Sequence, residues 1–237
     1  MNTREWARPV ITDWSYISLK ALARQVRTFA SMVEKENARS LLDLGCGAKP
    51  YRPFFPHIEK YIGFDIAAGP EVDVVGKNWD LPFANDEFDA LLTTQVLEHT
   101  AKLLPTVQEI QRVVKTKGLI FVSAPLTYPE HGVPYDYYRF TRYGLLELFR
   151  DFTVVHISSS GGFLSTLCKL HNVFWNYFPY ARYWAWPLFL FNNIVGLAAD
   201  FIFSRFSKSQ VSVLAKAADI YMRMPENFMI VLRNTKP

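Results

Sequence analysis

From Asp13 to about Glu36, apolar side chains recur on one helical face: Leu22, Val26, Phe29 and Val33 stand at i, i+4, i+7 and i+11. Short apolar runs follow. Leu41–Leu44, Tyr61–Asp65, Val72–Val75, Phe88–Leu92 and Leu119–Ser123 read as strands, with Lys117-Gly118 as the turn before the fifth. Between the last two of these, Leu103, Val107, Ile110 and Val114 keep the helical period, and Thr100 suits an N-cap. A helix after Tyr143, a strand over 152–157 and a last strand over 228–232 complete the series. The strands read as unbroken apolar runs, as in parallel strands covered on both faces.

This alternation predicts an α/β fold. It is a doubly wound, mostly parallel, seven-stranded sheet with helices on both faces. The organisation expected is an N-terminal helical cap over 1–39, a Rossmann-like core over 40–159, an insert over 160–225 and a last strand over 226–237 returning to the sheet.

Composition alters this picture in one place. Between Ser160 and Pro225, six Lys and Arg stand against two acids, so this segment accounts for the whole net charge of +4. Ten of the eighteen residues from Phe174 to Phe191 are aromatic, and the seventeen from Tyr183 to Ala199 carry no charge. Seventeen is at the short end for a membrane span, and Pro187, Asn192 and Asn193 speak against one. Three readings stand: a lid or helical cap over the substrate, an element lying on an anionic lipid surface, and a span. Met1 to Trp6 lead into no apolar run of the secretory type. Two cysteines, Cys46 and Cys168, form neither a disulfide framework nor metal-ligand spacing, so no metal is expected and a reducing cytoplasm is the plain reading, with the inner face of the membrane if the insert docks there.

In open α/β sheets, ligands bind beyond the carboxyl ends of the strands. The first strand ends in Asp43-Leu44-Gly45-Cys46-Gly47, where two glycines allow a tight turn and close approach of the backbone. The second ends in Asp65, placed to accept hydrogen bonds from ribose hydroxyls. A dinucleotide fingerprint requires a third glycine, and Pro50 stands there instead. Proline offers no N–H to a pyrophosphate, so a nucleoside without phosphates fits better.

Taken in order, LLDLGCGAKPY (41–51), YIGFDIA (61–67), DLPFANDEFDALLTTQVLEH (80–99) and RVVKTKG (112–118) resemble the class I S-adenosylmethionine-dependent methyltransferases of the small-molecule and glycan type. The resemblance covers about Ser40 to Ile157. It implies S-adenosylmethionine as cofactor, with Asp43, Gly45 and Gly47 shaping the methionine-tail site, Cys46 giving only its backbone, and Asp65, followed by Ile66, holding the ribose. It also places Asp80 and Leu81 by the adenine and Gln95 facing the cofactor. The family often has Gly-Asp-Ala where this chain has Gly76-Lys77-Asn78, which leaves Asn78 or Asp80 for the adenine contact.

The segment after the fifth strand is dense in polar and aromatic groups, and its His131-x-x-Pro134-x-Asp136-Tyr137-Tyr138-Arg139-x-Thr141 pattern resembles one subgroup of these enzymes. His131 is the base favoured by intrinsic pKa, Asp136 would orient it or act itself, and Tyr137 and Arg139 would bind substrate or its phosphate. The competing reading pairs Asp136 with Arg139 and leaves the loop structural. His99 is read as closing the pocket or capping the next helix, and His156 as structural.

The function expected is methyl transfer by in-line displacement to an oxygen, or a nitrogen, of a small-molecule, glycan or lipid-linked acceptor. An RNA or protein methyltransferase is the alternative; no nucleic-acid-binding module is present, so no nucleic acid is expected. A membrane-peripheral protein that keeps the fold without turnover is the third.

Overall fold

The computed structural model describes residues 6–208 and 210–236; the reading of the first residues as no leader lies outside them. Seven strands form one sheet: β1 (Ser40–Leu44), β2 (Lys60–Asp65), β3 (Val74–Val75), β4 (Phe88–Thr94), β5 (Val114–Pro125), β6 (Phe152–Ser159) and β7 (Asn227–Asn234). Their order is β3-β2-β1-β4-β5-β7-β6. All pairs are parallel except those of β7, which runs antiparallel to both neighbours.

The two faces carry two cores because successive strand residues point opposite ways. Leu42 and Leu44 of β1 join Phe64, Phe88 and Ile120 on one face, covered by α2 (Leu103–Val113) and α3 (Arg142–Leu148). Leu41 joins Phe55 and Phe121 on the other, covered by α1 (Tyr16–Lys35) through the predicted stripe of Leu22, Val26, Phe29 and Val33.

Three local expectations are corrected. Thr100 does not cap α2; its hydroxyl donates to Val96 O at 3.0 Å and accepts from Asn78 Nδ2 at 3.2 Å, and the helix starts after Lys102 with no side-chain cap. Lys117-Gly118 is not a turn ahead of β5 but lies within it. Phe88 pairs with Val114 and Ala90 with Leu119, so β5 absorbs extra residues as a bulge, with Lys117 at φ +71°. The third strand begins at Val74 and not Val72, because the Asp73 carboxylate turns back to accept from Gly63 N and Lys49 Nζ, both at 2.6 Å.

Between β6 and β7 the chain builds α4 (Phe163–Asn176), α5 (Ala181–Trp184), α6 (Trp186–Phe206) and α7 (Ser212–Tyr221). The excursion leaves and returns at one point: Ser160 N donates to Asn227 O at 3.0 Å, and Asn227 N to Ser160 Oγ at 2.9 Å. Asp200 of α6 ties the helices together, its Oδ1 accepting from Gly162 N, Ser165 Oγ and Tyr221 Oη at 3.0, 2.9 and 2.7 Å. The two asparagines of α6 face inward. Asn192 donates to Asn172 Oδ1 of α4 at 2.7 Å, and Asn193 to the carbonyls of Ile11 and Asp13 at 2.7 and 2.8 Å. Among the described residues α6, with 21 residues, is the one helix long and apolar enough to cross a membrane by length and composition.

Candidate functional site

The carboxyl ends of β1, β2 and β4 meet at one edge of the sheet. Gly45 N and Cys46 N donate to Phe64 O of β2 at 2.8 and 3.0 Å, which locks the turn after β1 against its neighbour. Gly47 N donates to Asp65 Oδ2 at 2.9 Å, and Ala67 N to Asp65 Oδ1 at 3.2 Å, so Asp65 stands beside the glycine turn. Both glycines have left-handed backbones, φ +74° at Gly45 and +51° at Gly47, but for different reasons. A Cβ on Gly45 would lie 2.2 Å from Val96 Cγ2, whereas one on Gly47 meets nothing within 4 Å. Gly47 therefore faces open space bordered by an acid, room for a ligand whose sugar Asp65 could bind.

Asp43 lies beneath the turn, almost wholly buried, and accepts from Tyr61 Oη at 2.6 Å. Burial pushes its carboxyl up to about 7, against the pull of the Tyr61 hydrogen bond and the Lys49 ammonium. The Cys46 thiol is pushed up to about 12, chiefly by burial, and so remains a small neutral group. Ile66 is exposed past the end of β2, and Asp80 is exposed, with Lys77 bridged to it. Leu81, expected beside the adenine, is anchored inward. Its side chain is in the core with Phe64 and Ile110, its N–H donates to Glu109 Oε2 at 2.7 Å, and its carbonyl accepts from Arg112 Nη2 at 2.9 Å. Gln95, with φ +56°, follows β4, and its amide donates to Ser123 Oγ of β5 at 3.1 Å.

Beside this edge opens a cleft of about 320 Å³, with Gln95, His99, Tyr128, His131, Lys169 and Trp14 in its wall. The loop after β5 builds one side. His131 N donates to Asp136 Oδ2 at 2.9 Å, and the ring Nδ1 lies 3.2 Å from Pro129 O. Burial, first among the causes, holds the His131 imidazole below its ordinary value. Asp136 is gripped by Arg139 through two bonds of 2.7 Å, which keep its carboxyl well below the usual range. So held, Asp136 shapes the loop and is not poised to take a proton. Arg139 is likewise committed: its N–H groups also reach the carbonyls of Tyr128, Pro129 and Tyr138 at 3.0, 3.0 and 2.8 Å. The guanidinium is thus a brace for the loop, which corrects the expectation that it binds substrate. Tyr137 is exposed, with its N–H on Glu98 O at 2.8 Å, and does not line the cleft.

Three wall residues escaped the sequence reading or were left in the margin. His99 stands 3.2 Å from His131, Nε2 to Nε2. Lys169, nearly fully buried, holds its ammonium 4.0 Å from the Trp14 ring centroid, and burial brings it down to about 8 against the opposing charge of Glu226. Glu226, also buried, accepts from Ser18 Oγ. The available signal was that Lys169 is the sole Lys, Arg, Asp or Glu in the fourteen residues of α4.

Residues 42–122 match the methyltransferase domain family. No curated protein matches the chain. Among solved structures, it is similar to the Burkholderia thailandensis 1,6-didemethyltoxoflavin-N1-methyltransferase holding 1,6-didemethyltoxoflavin and S-adenosylhomocysteine, with a TM-score of 0.56 and 14% identity over 90% of this chain and 78% of that one. It is also similar to the [4+2]-cyclase SpnF, with a TM-score of 0.52 and 18% identity over 89% of this chain and 81% of that one. These likenesses speak for the fold; the matched segment runs from the middle of β1 to β5 and holds the glycine turn, Asp65 and Gln95. The methyltransferase domain model lies over the edge where that turn and that acid meet, and in this segment the chain is similar to S-adenosylmethionine-dependent methyltransferases.

Proposed function

We propose that the enzyme methylates an oxygen, a hydroxyl of a small-molecule, glycan or lipid-linked acceptor held in the cleft. The observation that carries this reading is a half-buried imidazole, His131, held below its ordinary value in the wall of a cleft beside the cofactor turn. A neutral amine attacks without first losing a proton, whereas a hydroxyl has to shed one as it attacks. Partial burial favours the uncharged form of the imidazole, and that form takes protons.

S-adenosylmethionine supplies the methyl group by in-line displacement when bound. Asp43, Gly45 and Gly47 would hold its methionine tail and Asp65 its ribose, with Gln95 between cofactor and cleft. The apolar walls, among them Trp14, Leu19 and Leu22, would exclude water and orient the acceptor. His131 would take the hydroxyl proton, kept in place by Pro129 and Asp136.

A lipid-linked acceptor is supported by the outer side of the insert. Tyr177, Tyr180, Tyr183, Trp184, Trp186 and Phe191 are exposed there, within the segment that carries the net positive charge. Aromatic and basic residues together suit the headgroup region of an anionic membrane. Since Asn192 and Asn193 bind α6 to the rest of the chain, docking on the cytoplasmic surface fits better than a span.

The test is S-adenosylhomocysteine release from methyl-labelled cofactor. Soluble hydroxyl acceptors are compared with polyprenyl-phosphate-linked glycans in anionic vesicles. Label in an acid- and base-stable O-methyl ether is the expected result. Label on nitrogen, or no release with any hydroxyl acceptor from protein that binds the cofactor, would overturn the proposal.

A further inference from the structure

His99 and His131 come from different parts of the chain, yet their rings meet nearly at right angles, with centroids 4.7 Å apart. His99 Nδ1 lies 2.7 Å from Tyr135 O, and His131 Nδ1 lies 3.2 Å from Pro129 O. A carbonyl only accepts, so each Nδ1 carries the hydrogen that donates to it. In a neutral imidazole this leaves Nε2 with a bare lone pair. The two Nε2 atoms, 3.2 Å apart, thus present lone pairs to each other. Such a pair is stable only with something positive between or beside them.

The third member is Glu98. Its side chain is wholly buried, and neither carboxylate oxygen has a hydrogen-bond partner, an arrangement that costs heavily for a carboxylate unless a proton or a cation answers it. Its Oε1 stands 4.0 Å from His99 Nε2, and one donor atom from each of Glu98, His99 and His131 falls within 4.8 Å of the others.

We propose that Glu98, His99 and His131 form a binding site for one divalent transition-metal ion of the zinc type. Two nitrogens on one tetrahedral zinc, each at about 2.0–2.1 Å, stand roughly 3.3 Å apart, close to the separation seen here. Two imidazoles and one carboxylate are a donor set for zinc or iron and a poor one for magnesium. The carbonyls behind each Nδ1 are the outer support that such ligands ordinarily have. Gly132 belongs to the device. A Cβ there would lie 3.1 Å from the His99 ring, and its φ of +64° lets the loop carrying His131 pass close over that ring.

Because His99 and His131 line the cleft, the open coordination position faces the acceptor. A hydroxyl oxygen bound to the ion is far more acidic than a free one. Its proton would leave to solvent, and His131 would act as a ligand in place of a base. That chemical consequence rests on the oxygen-acceptor reading above; the binding itself does not.

The experiment measures metal without any acceptor. Purified protein, the whole chain, is stripped with chelator and dialysed against zinc alone, magnesium alone or cobalt(II) alone, and metal per chain is read by elemental analysis. About one equivalent of zinc and no retained magnesium are expected, and cobalt should give the intense visible bands of a tetrahedral nitrogen–oxygen site. His131→Ala and His99→Ala should each lose zinc at least tenfold, with S-adenosylhomocysteine binding by calorimetry showing that they fold. Should either fail to fold, the wild-type cobalt spectrum decides. Absence of stoichiometric zinc, a pale octahedral cobalt spectrum, or folded variants that keep their zinc would overturn the site and leave a shared proton between the two rings. Failure of this test leaves oxygen methylation standing, and failure to methylate hydroxyls leaves the metal measurement unaffected.

Discussion

The two glycines after β1 invite a paired perturbation, because the same substitution should fail in different ways. Gly45→Ala forces a Cβ to within 2.2 Å of Val96 Cγ2 on a left-handed backbone. The left-handed conformation costs an alanine about 1–2 kcal/mol. Valine has little freedom at χ1, so the clash adds about 1–3 kcal/mol more. The sum is about 2–5 kcal/mol, or a fall in Tm of roughly 4–20 °C for a chain of this size. Gly47→Ala meets the same backbone cost and no atom within 4 Å, so its Tm should fall by only about 2–8 °C. The methyl group it adds would instead occupy the space assigned to the cofactor, and S-adenosylhomocysteine affinity should drop at least tenfold. Differential scanning fluorimetry and calorimetry read the two quantities. Equal Tm losses in the two variants, or a Gly47→Ala protein that binds the cofactor as wild type does, would refute the reasoning.

Asp43→Asn tests the buried carboxyl. Because its folded value of about 7 lies above the ordinary 3.8, the folded state keeps this proton after the unfolded chain has lost it. The group's contribution is therefore greatest below about pH 4 and declines as pH rises through 7. The variant should gain in Tm relative to wild type between pH 5 and 8 while binding the cofactor weakly; a difference that does not change with pH would count against it. Arg139→Ala leaves the nearly buried Asp136 unpaired, and on the order of 3 kcal/mol of loop stability should be lost. Faster limited proteolysis within residues 126–141 is the readout, and an unchanged cleavage rate would show that the brace is unimportant. Trp186→Ala combined with Phe191→Ala removes two exposed rings of the insert. Co-sedimentation with anionic vesicles at low salt should fall several-fold, and no binding by the wild-type protein would remove the membrane reading.

Strand after strand was legible because parallel strands buried on both faces need apolar runs that few other structures use. The stripe of α1 was legible for the same reason: Val26, Phe29 and Val33 are fully buried. What escaped was decided by hydrogen bonds to partners far along the chain. Thr100 has the chemistry of a cap, but Val96 and Asn78 compete for its hydroxyl. Arg139 has the chemistry of a phosphate ligand, but five contacts within its own loop use it up. Glu98 and His99 are adjacent in sequence, yet the ring that completes their cluster is His131, at no spacing that a metal motif would flag. Lys169 and Glu226 meet only because the insert folds back, so their pairing is a product of tertiary structure alone.

The antiparallel placement of β7 also constrains how the molecule assembles. In the sheet order, β6 has no neighbour except β7, and the far edge of β5 is covered by β7 alone. A strand synthesised after both of its neighbours is thus the wedge that joins them. Until Asn227–Asn234 arrives, the β5 edge is a row of open amides and carbonyls, and β6 has no strand to pair with, its helical excursion being held to the rest through the segment ahead of α1 and α1 itself. Nascent chains halted before Glu226 should therefore carry the cofactor turn in near-finished form and lack the acceptor cleft, whose wall includes Glu226 and Asn227.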